Sequence, residues 1–260
     1  MKKIFVLMML FTLLVSGCGK SSGEKIVVGV DDEFPPMGFR DESGELVGFD
    51  IDLAKEVEKR MGVAFEFKPI IWNNKREEIE SGNVDIIWNG LDITDERKEY
   101  MIFSKPYMDD RQIFLVKKGD DQNIRAEGDL EGKIIGVQAG STAQTYFNED
   151  EVLKKLLSGM KVYNKFNDGL AALERGDINV FICDESIARY EIHLRPDSFD
   201  IIDVTSGYLT EVAIGFRKND TELRDRVQKV FDEMVKDGTA GKISEKWFQA
   251  DLIKYPALNR

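Results

Sequence analysis

The sequence predicts an α/β protein of two architecturally similar lobes, each built around a largely parallel sheet. Three observations carry that expectation. Strand-like and helix-like segments alternate along the chain, the order that a parallel sheet with crossover helices requires. The order then restarts near Gly132. Finally, a helix-stopping glycine, a strand and a polar group at its carboxyl end occur twice, at 82–89 (GNVDIIWN) and 176–184 (GDINVFICD). The likeness is too loose for a repeat of the solenoid kind. Ligands of such sheets sit outside the carboxyl ends of the strands, where Asp31 and Asn89 fall.

The first residues set the compartment. Lys2 and Lys3 precede an apolar run at 4–15, shorter than the roughly 20 residues a membrane span needs but suited to a signal peptide. The following Leu14-Val15-Ser16-Gly17-Cys18 resembles the lipobox of bacterial lipoproteins, with 1–17 removed and Cys18 lipidated. The polar stretch 18–25 then serves as a tether. No other stretch is long and apolar enough to cross a membrane. Removing 1–17 takes away two lysines and moves the formal charge from −12 to −14. That acidity argues against nucleic acid and against a polybasic membrane surface. With Cys18 lipidated, Cys183 is the other cysteine, so neither an intrachain disulfide nor a cysteine-rich metal site is expected. Cys183 reads as a small buried residue. The single histidine, His193, argues against the usual zinc and Ser-His-Asp constellations. No cofactor and no metal are expected.

In chain order, 25–30 reads as a buried strand ending at Asp31. The prolines make 32–36 a loop. Residues 38–49 form a hairpin turning at Glu42-Ser43-Gly44. Asp50 is expected to cap a helix carrying Ile51, Leu53, Ala54, Val57 and Met61 at helical spacing, stopped by Gly62. Residues 63–70 alternate as a strand. Trp72-Asn73-Asn74 lead into a short helix ending at Ser81-Gly82. A strand at 85–88 breaks at Asn89-Gly90, and Thr94 or Asp95 caps a helix with Arg97 in its first turn. Residues 111–117 read as a strand. In the second half, 133–137 is a strand running into a glycine turn with two hydroxyls, Ser141 and Thr142, before a helix. Strands at 161–166 and 178–183 flank a helix at 168–175 stopped by Gly176. The tail has a strand at 212–216 and two helices, 221–235 and 239–248, separated by Gly238. Leu223, Val227, Val230, Phe231 and Met234 form one apolar stripe on the first.

The stretch 85–97 carries the first functional suggestion. A strand opening onto a helix N-terminus makes a shelf of backbone N–H groups that favours an anion. A guanidinium added there can grip a carboxylate with two parallel bonds. The stretch therefore suggests a site for a small carboxylate. The competing reading is a solvated Arg97 among Asp95, Glu96, Lys98 and Glu99.

Motifs along nearly the whole mature chain carry a resemblance. They are VGFDIDLA at 47–54, ITDER at 93–97, FSKPY at 103–107, GVQAGS at 136–141, GFRK at 215–218, and DGT at 237–239 followed by KWF at 246–248. In this order, behind a lipobox, they are similar to a bacterial extracytoplasmic solute-binding protein of family 3. These are the polar amino acid receptors of ABC importers. The resemblance implies a periplasmic-binding-protein-like type II fold, two α/β lobes joined by two hinge strands. Lobe one would be 24–107 plus 212–260, lobe two 112–206, and the hinge 108–111 and 207–211. It also implies a monomer, anchored outside the cell membrane by its lipid and partnered by ABC transporter membrane subunits.

The resemblance further implies roles for single residues. Arg97 would hold the ligand α-carboxylate, with backbone contacts from Asn89 and Gly90. Asp184 would take the α-ammonium. Ser141 and Thr142, with Gln138 at the start of their turn, would meet the carboxylate from lobe two. Asp31 would face the ligand side chain between aromatic walls from Phe34 and Trp72. Asp92 and Trp88 depart from the family pattern, which has a hydroxyl and a small aliphatic there. Each role has an alternative: Asp31 as a turn acid, Phe34 and Trp72 as core aromatics, Asp184 as a helix cap, and Asp92 as a cap or a partner of Arg97. Asp31, Asp92 and Asp184 outnumber Arg97, which favours arginine, lysine or histidine as ligand, with Phe34, Trp72 and Trp88 offering faces for a cation. If Arg97 ties up Asp92, glutamine becomes the better ligand; cystine is a further alternative. An enzyme on the same fold, such as a cyclohexadienyl dehydratase, and a sensing domain are the competing classes. The sensor would need a transmembrane helix or an effector, and the enzyme an acid or base poised at the ligand.

Overall fold

The computed structural model describes residues 25–254, so the expected signal segment 1–17, the lipidation site Cys18 and the start of the tether lie outside the described residues. The first half runs β1 (Lys25–Val30), β2 (Glu33–Phe34), β3 (Gly38–Arg40), β4 (Leu46–Val47), α1 (Phe49–Met61), β5 (Ala64–Pro69), a short 3-10 turn at Trp72–Asn74, α2 (Lys75–Glu80), β6 (Ile86–Ile87), α3 (Asp95–Tyr100) and β7 (Met101–Phe103). The long β8 (Met108–Lys117) leads to β9 (Ile134–Gln138), α4 (Thr142–Glu149), α5 (Glu151–Leu156), β10 (Gly159–Tyr163), α6 (Phe166–Arg175), β11 (Val180–Asp184) and α7 (Glu185–Leu194). The chain closes with β12 (Phe199–Val212), β13 (Gly215–Arg217), α8 (Thr221–Lys236) and α9 (Thr239–Phe248).

Two five-stranded sheets result, ordered β5-β1-β6-β13-β7 and β10-β9-β11-β8-β12. In each, the first three strands are parallel and the last two join antiparallel. This is the two-lobed α/β fold. Apolar side chains cover both faces of both sheets, as parallel strands require. The tail helices return to the first sheet, where Arg60 of α1 pairs with Asp237 at 2.7 Å and the Trp247 indole donates to Asp52 at 2.8 Å. The stretches expected as crossings, 108–111 and 207–211, are the paired ends of β8 and β12.

Several local expectations change. The loop at 32–36 contains the two-residue β2, edge of a small β2-β3-β4 sheet. Phe166 opens α6 rather than ending a strand, and Val212 ends β12 rather than opening the next strand. Asp50 does not cap α1: Gly48 stands at the cap position with φ 143°, and Asp50 lies in the first turn. A Cβ at Gly48 would meet the Met37 carbonyl oxygen at 2.3 Å, so this tight crossing of chains requires glycine. Asp50 is fully buried and accepts from the Gly90 N–H at 2.6 Å and the Tyr107 hydroxyl at 2.7 Å. It thereby ties the turn after β6 to the chain entering β8. Burial raises its pKa to about 7, against the pull of the Gly90 and Tyr107 hydrogen bonds.

Asp50→Ala leaves the Gly90 N–H and the Tyr107 hydroxyl buried without an acceptor. It should destabilise the protein by about 2–4 kcal/mol, read as a lowered urea midpoint at neutral pH. A midpoint equal to that of the wild type would mean that the turn is held by other bonds.

Candidate functional site

The carboxyl ends of the strands bring the expected residues together. Asp31 follows β1, Gly90 and Asp92 follow β6, Gln138 ends β9 and Asp184 ends β11. With Phe34, Trp72, Arg97, Ser141 and Thr142 they line one cleft between the two sheets. Its free volume is about 20 Å³, little more than one water molecule. Bonds between the lobes fill the rest. The Gln138 amide donates to Asp31 at 2.6 Å, the Thr142 hydroxyl donates to the Asp92 carboxylate, and Phe34 meets Phe166 edge-on at 5.4 Å.

Arg97 is the best-defined member. Thr94 caps α3, its hydroxyl accepting from the Arg97 N–H at 3.1 Å, which sets the side chain on the buried side of a six-residue helix. The guanidinium is not solvated: Arg97 is 4% exposed. Nη1 donates to the Asp92 carbonyl at 2.8 Å and Nη2 to the Gly140 carbonyl, across the cleft, at 3.2 Å. Among the described residues no carboxylate lies within ion-pair distance of it. Asp92 therefore contributes its backbone, not its charge, to Arg97. One Asp92 carboxylate oxygen has no partner among the described residues.

Two N–H groups of the backbone shelf expected at 85–97 are already taken. The Gly90 N–H goes to Asp50, and that of Arg97 to Thr94. Asn89 does not line the cleft; it is fully buried against Gly38, and neither its amide nitrogen nor its oxygen has a partner among the described residues. Trp88 also lies away from the cleft, in the core, 6.2 Å from the Phe231 ring, so Phe34 and Trp72 are the aromatic walls. In the second lobe Ser141 caps α4, accepting from the Gln144 N–H at 3.1 Å. Asp184 stands at the N-cap position of α7 but makes no side-chain cap; its carboxyl accepts from the Gln112 amide.

Burial sets the electrostatics. It raises Asp31 to about 6, opposed by the Glu33 N–H and the Gln138 amide. Asp184 is raised well above the usual range by burial, then by the charges of Asp92 and Asp110, against Gln112 and Arg97. Sequence patterns gave no sign of Asp110 or Lys75. Asp110, on β8, is held by the Ser186 hydroxyl and the Arg111 N–H, and burial raises it to about 7. Lys75, 5% exposed, lies 5.1 Å from the Trp72 ring centroid and donates to the Gly140 carbonyl at 2.7 Å. Lysine is almost never fully buried, so spacing alone puts such a residue in solvent. Among the described residues no cluster of metal-ligating side chains occurs and no helix is long and apolar enough to cross a membrane.

Residues 26–250 match the family model of bacterial extracellular solute-binding proteins, family 3. The L-cystine-binding protein TcyJ of Escherichia coli K12 is 32% identical over 233 residues, covering 88% of this chain and 84% of that protein. A substrate-binding protein of an ABC uptake transporter from Streptococcus pneumoniae, solved with bound histidine, superposes with a TM-score of 0.84 at 34% identity, covering 89% of this chain and 95% of the other. An ancestral arginine-binding protein bound to arginine superposes with a TM-score of 0.80 at 38% identity, covering 86% and 98%.

The raised Asp31 yields a test in the ligand-free protein. The carboxyl ionises near pH 4 when unfolded and at about 6 when folded. Between those values the folded form holds a proton that the unfolded form has lost, so this group's contribution falls as pH rises. Asp31→Asn keeps an oxygen acceptor and removes the titration. Its stability relative to wild type should rise between pH 4 and pH 7 by about 2–3 kcal/mol, read from urea midpoints. A difference independent of pH would show that Asp31 ionises normally.

Proposed function

The chain belongs to the bacterial extracellular solute-binding proteins of family 3, and from that premise we propose that it is the substrate-binding receptor of an ABC importer, capturing a polar, cationic amino acid between two closing lobes. The observation that carries this is Arg97: a buried guanidinium held by two carbonyls, with no carboxylate partner among the described residues, facing a cleft lined by Asp31, Asp92 and Asp184. A ligand α-carboxylate supplies the missing counter-charge through two parallel bonds. The α-ammonium goes to Asp184, which burial and its acidic neighbours leave in need of a cation. With its N–H committed to Asp50, Gly90 contributes its carbonyl. Ser141, Thr142 and Gln138 approach from lobe two, and the bonds of Gln138 to Asp31 and of Thr142 to Asp92 exchange for bonds to ligand. No covalent step is involved.

The ligand side chain extends toward Asp31 between Phe34 and Trp72. A cation there offsets a carboxylate whose ionised form is disfavoured by burial, and arginine, lysine or histidine would supply it. One observation favours a second reading, glutamine or cystine: the Lys75 amine lies buried beside Trp72, and in its charged form it reduces the acidic excess. We assign lobe one to 24–107 with 212–260, lobe two to 112–206 and the hinge to 108–111 and 207–211. We also assign a lipid anchor at Cys18 outside the cell membrane and action as a monomer with ABC transporter membrane subunits.

Two measurements test this. Arg97→Ala should cost about 3–5 kcal/mol, several hundred-fold or more in affinity, while the fold survives; wild-type affinity by titration calorimetry would end the assignment. In a thermal-shift panel of amino acids, arginine, lysine or histidine should give the largest stabilisation. Stabilisation by glutamine or cystine, with none from those three, would overturn the cationic assignment.

A further inference from the structure

Lys75 does not line the cleft and touches no ligand in the scheme above, yet it occupies a place that three effects make unfavourable. It is buried. It is the first residue of α2, where the positive end of the helix dipole repels a cation. It is close enough to Arg97 for that charge, after burial, to help hold its pKa well below the ordinary value, against Glu96 and Asp92. A lysine so placed would ordinarily extend its amine to solvent. Instead the amine turns inward to the Gly140 carbonyl at 2.7 Å, with the Trp72 carbonyl at 3.3 Å and the Trp72 ring beneath it. The Trp72 groups belong to its own lobe; the shortest bond crosses the cleft.

Gly140 fits that bond. Its φ of +71° suits glycine, and a Cβ there would lie 2.9 Å from both the Asn73 Cα and the Lys75 Nζ. Any side chain would hold the Trp72–Asn74 turn away. The same carbonyl accepts the longer, 3.2 Å bond from Arg97. A carbonyl oxygen has two lone pairs and serves both donors. When a guanidinium turns to grip a carboxylate in bidentate fashion, it gives up the weaker of its carbonyl bonds, and the amine remains.

We propose that Lys75 is a positioning residue for ligand capture, clasping the Gly140 carbonyl of the opposite lobe once the cleft is shut and so releasing Arg97 to the ligand carboxylate. This rests on the receptor reading. An amine donates whether or not it is charged, so the clasp does not depend on the protonation of Lys75. Because the bond forms only on closure, losing it speeds opening and leaves encounter unchanged. Because the bond runs to Gly140 and not to the ligand, it is lost whichever ligand is bound.

Lys75→Met keeps an apolar stem over Trp72 and removes the amine. With L-arginine, or whichever amino acid gives the largest thermal shift, stopped-flow tryptophan fluorescence should show dissociation faster by about tenfold or more. The association rate should be unchanged, and the ligand-free Tm equal to or above that of wild type. Unchanged dissociation, a loss carried by association, or a lowered ligand-free Tm would each overturn the clasp; the last is what a merely structural lysine would give. Should wild type bind no amino acid, the receptor reading fails on its own account. The clasp is then read by small-angle scattering of the ligand-free proteins: a larger radius of gyration in Lys75→Met supports it, and equal radii overturn it.

Discussion

The antiparallel pairing of β8 with β12 is the constraint on which the rest of the molecule depends. It runs from Phe199 opposite Lys117 to Val212 opposite Met108. At one end β8 is an interior strand of the second sheet, paired with β11. At the other end the ribbon reaches the first lobe: the Ile93 N–H donates to the Glu211 carbonyl at 2.8 Å and the Ala213 N–H to that of Leu91 at 2.9 Å. The register shifts between Ile202 and Ser206 and again between Ser206 and Leu209. Such irregularities bend a ribbon locally and end regular pairing. Two strands crossing side by side permit rotation of one lobe against the other while most of their hydrogen bonds persist. β8 also carries Asp110 and Gln112 to Asp184.

Closure of the two lobes at that ribbon would be an electrostatic event. Lobes held apart would present their strand-end acids to water, and shutting the cleft would desolvate Asp31 and Asp184 together. Ionised carboxylates resist this unless a cation or donors compensate. The structure shows what compensation the chain provides from itself: the Gln138 amide on Asp31, the Thr142 hydroxyl on Asp92 and the Gln112 amide on Asp184. These are neutral donors, and Asp31 and Asp184 remain raised. A bound cation would meet the same demand more completely. Binding energy and closure would then be linked through differential stabilisation of the shut state.

Local sequence determined much of the architecture. Glycine in the left-handed conformation ends α1 at Gly62 and α6 at Gly176, because no side chain is there to resist it. Thr94 and Ser141 cap α3 and α4 because a hydroxyl beside its own backbone reaches the N–H three residues on. Those caps bring Arg97 and Thr142 to the cleft, and strand ends bring Asp31, Gln138 and Asp184. Each is settled by neighbours within a few residues, so pattern and motif suffice to name it.

What the sequence left undecided is what partners far along the chain decide. Asp50 looked like a cap, being a short acid before an apolar helix; folding gives it to Gly90 and Tyr107, 40 and 57 residues away. Trp88, read from the sequence as a face for a ligand cation, has Phe231 as its neighbour in space. Asn89 turns into the core beside Gly38 while Gly90 stays in the cleft. No local pattern marks Lys75; its partner Gly140 lies 65 residues away in the second lobe. Hydrogen-bonding capacity is written in the residue type, but which partner takes it up depends on closing long loops, and only the assembled lobes fix those distances.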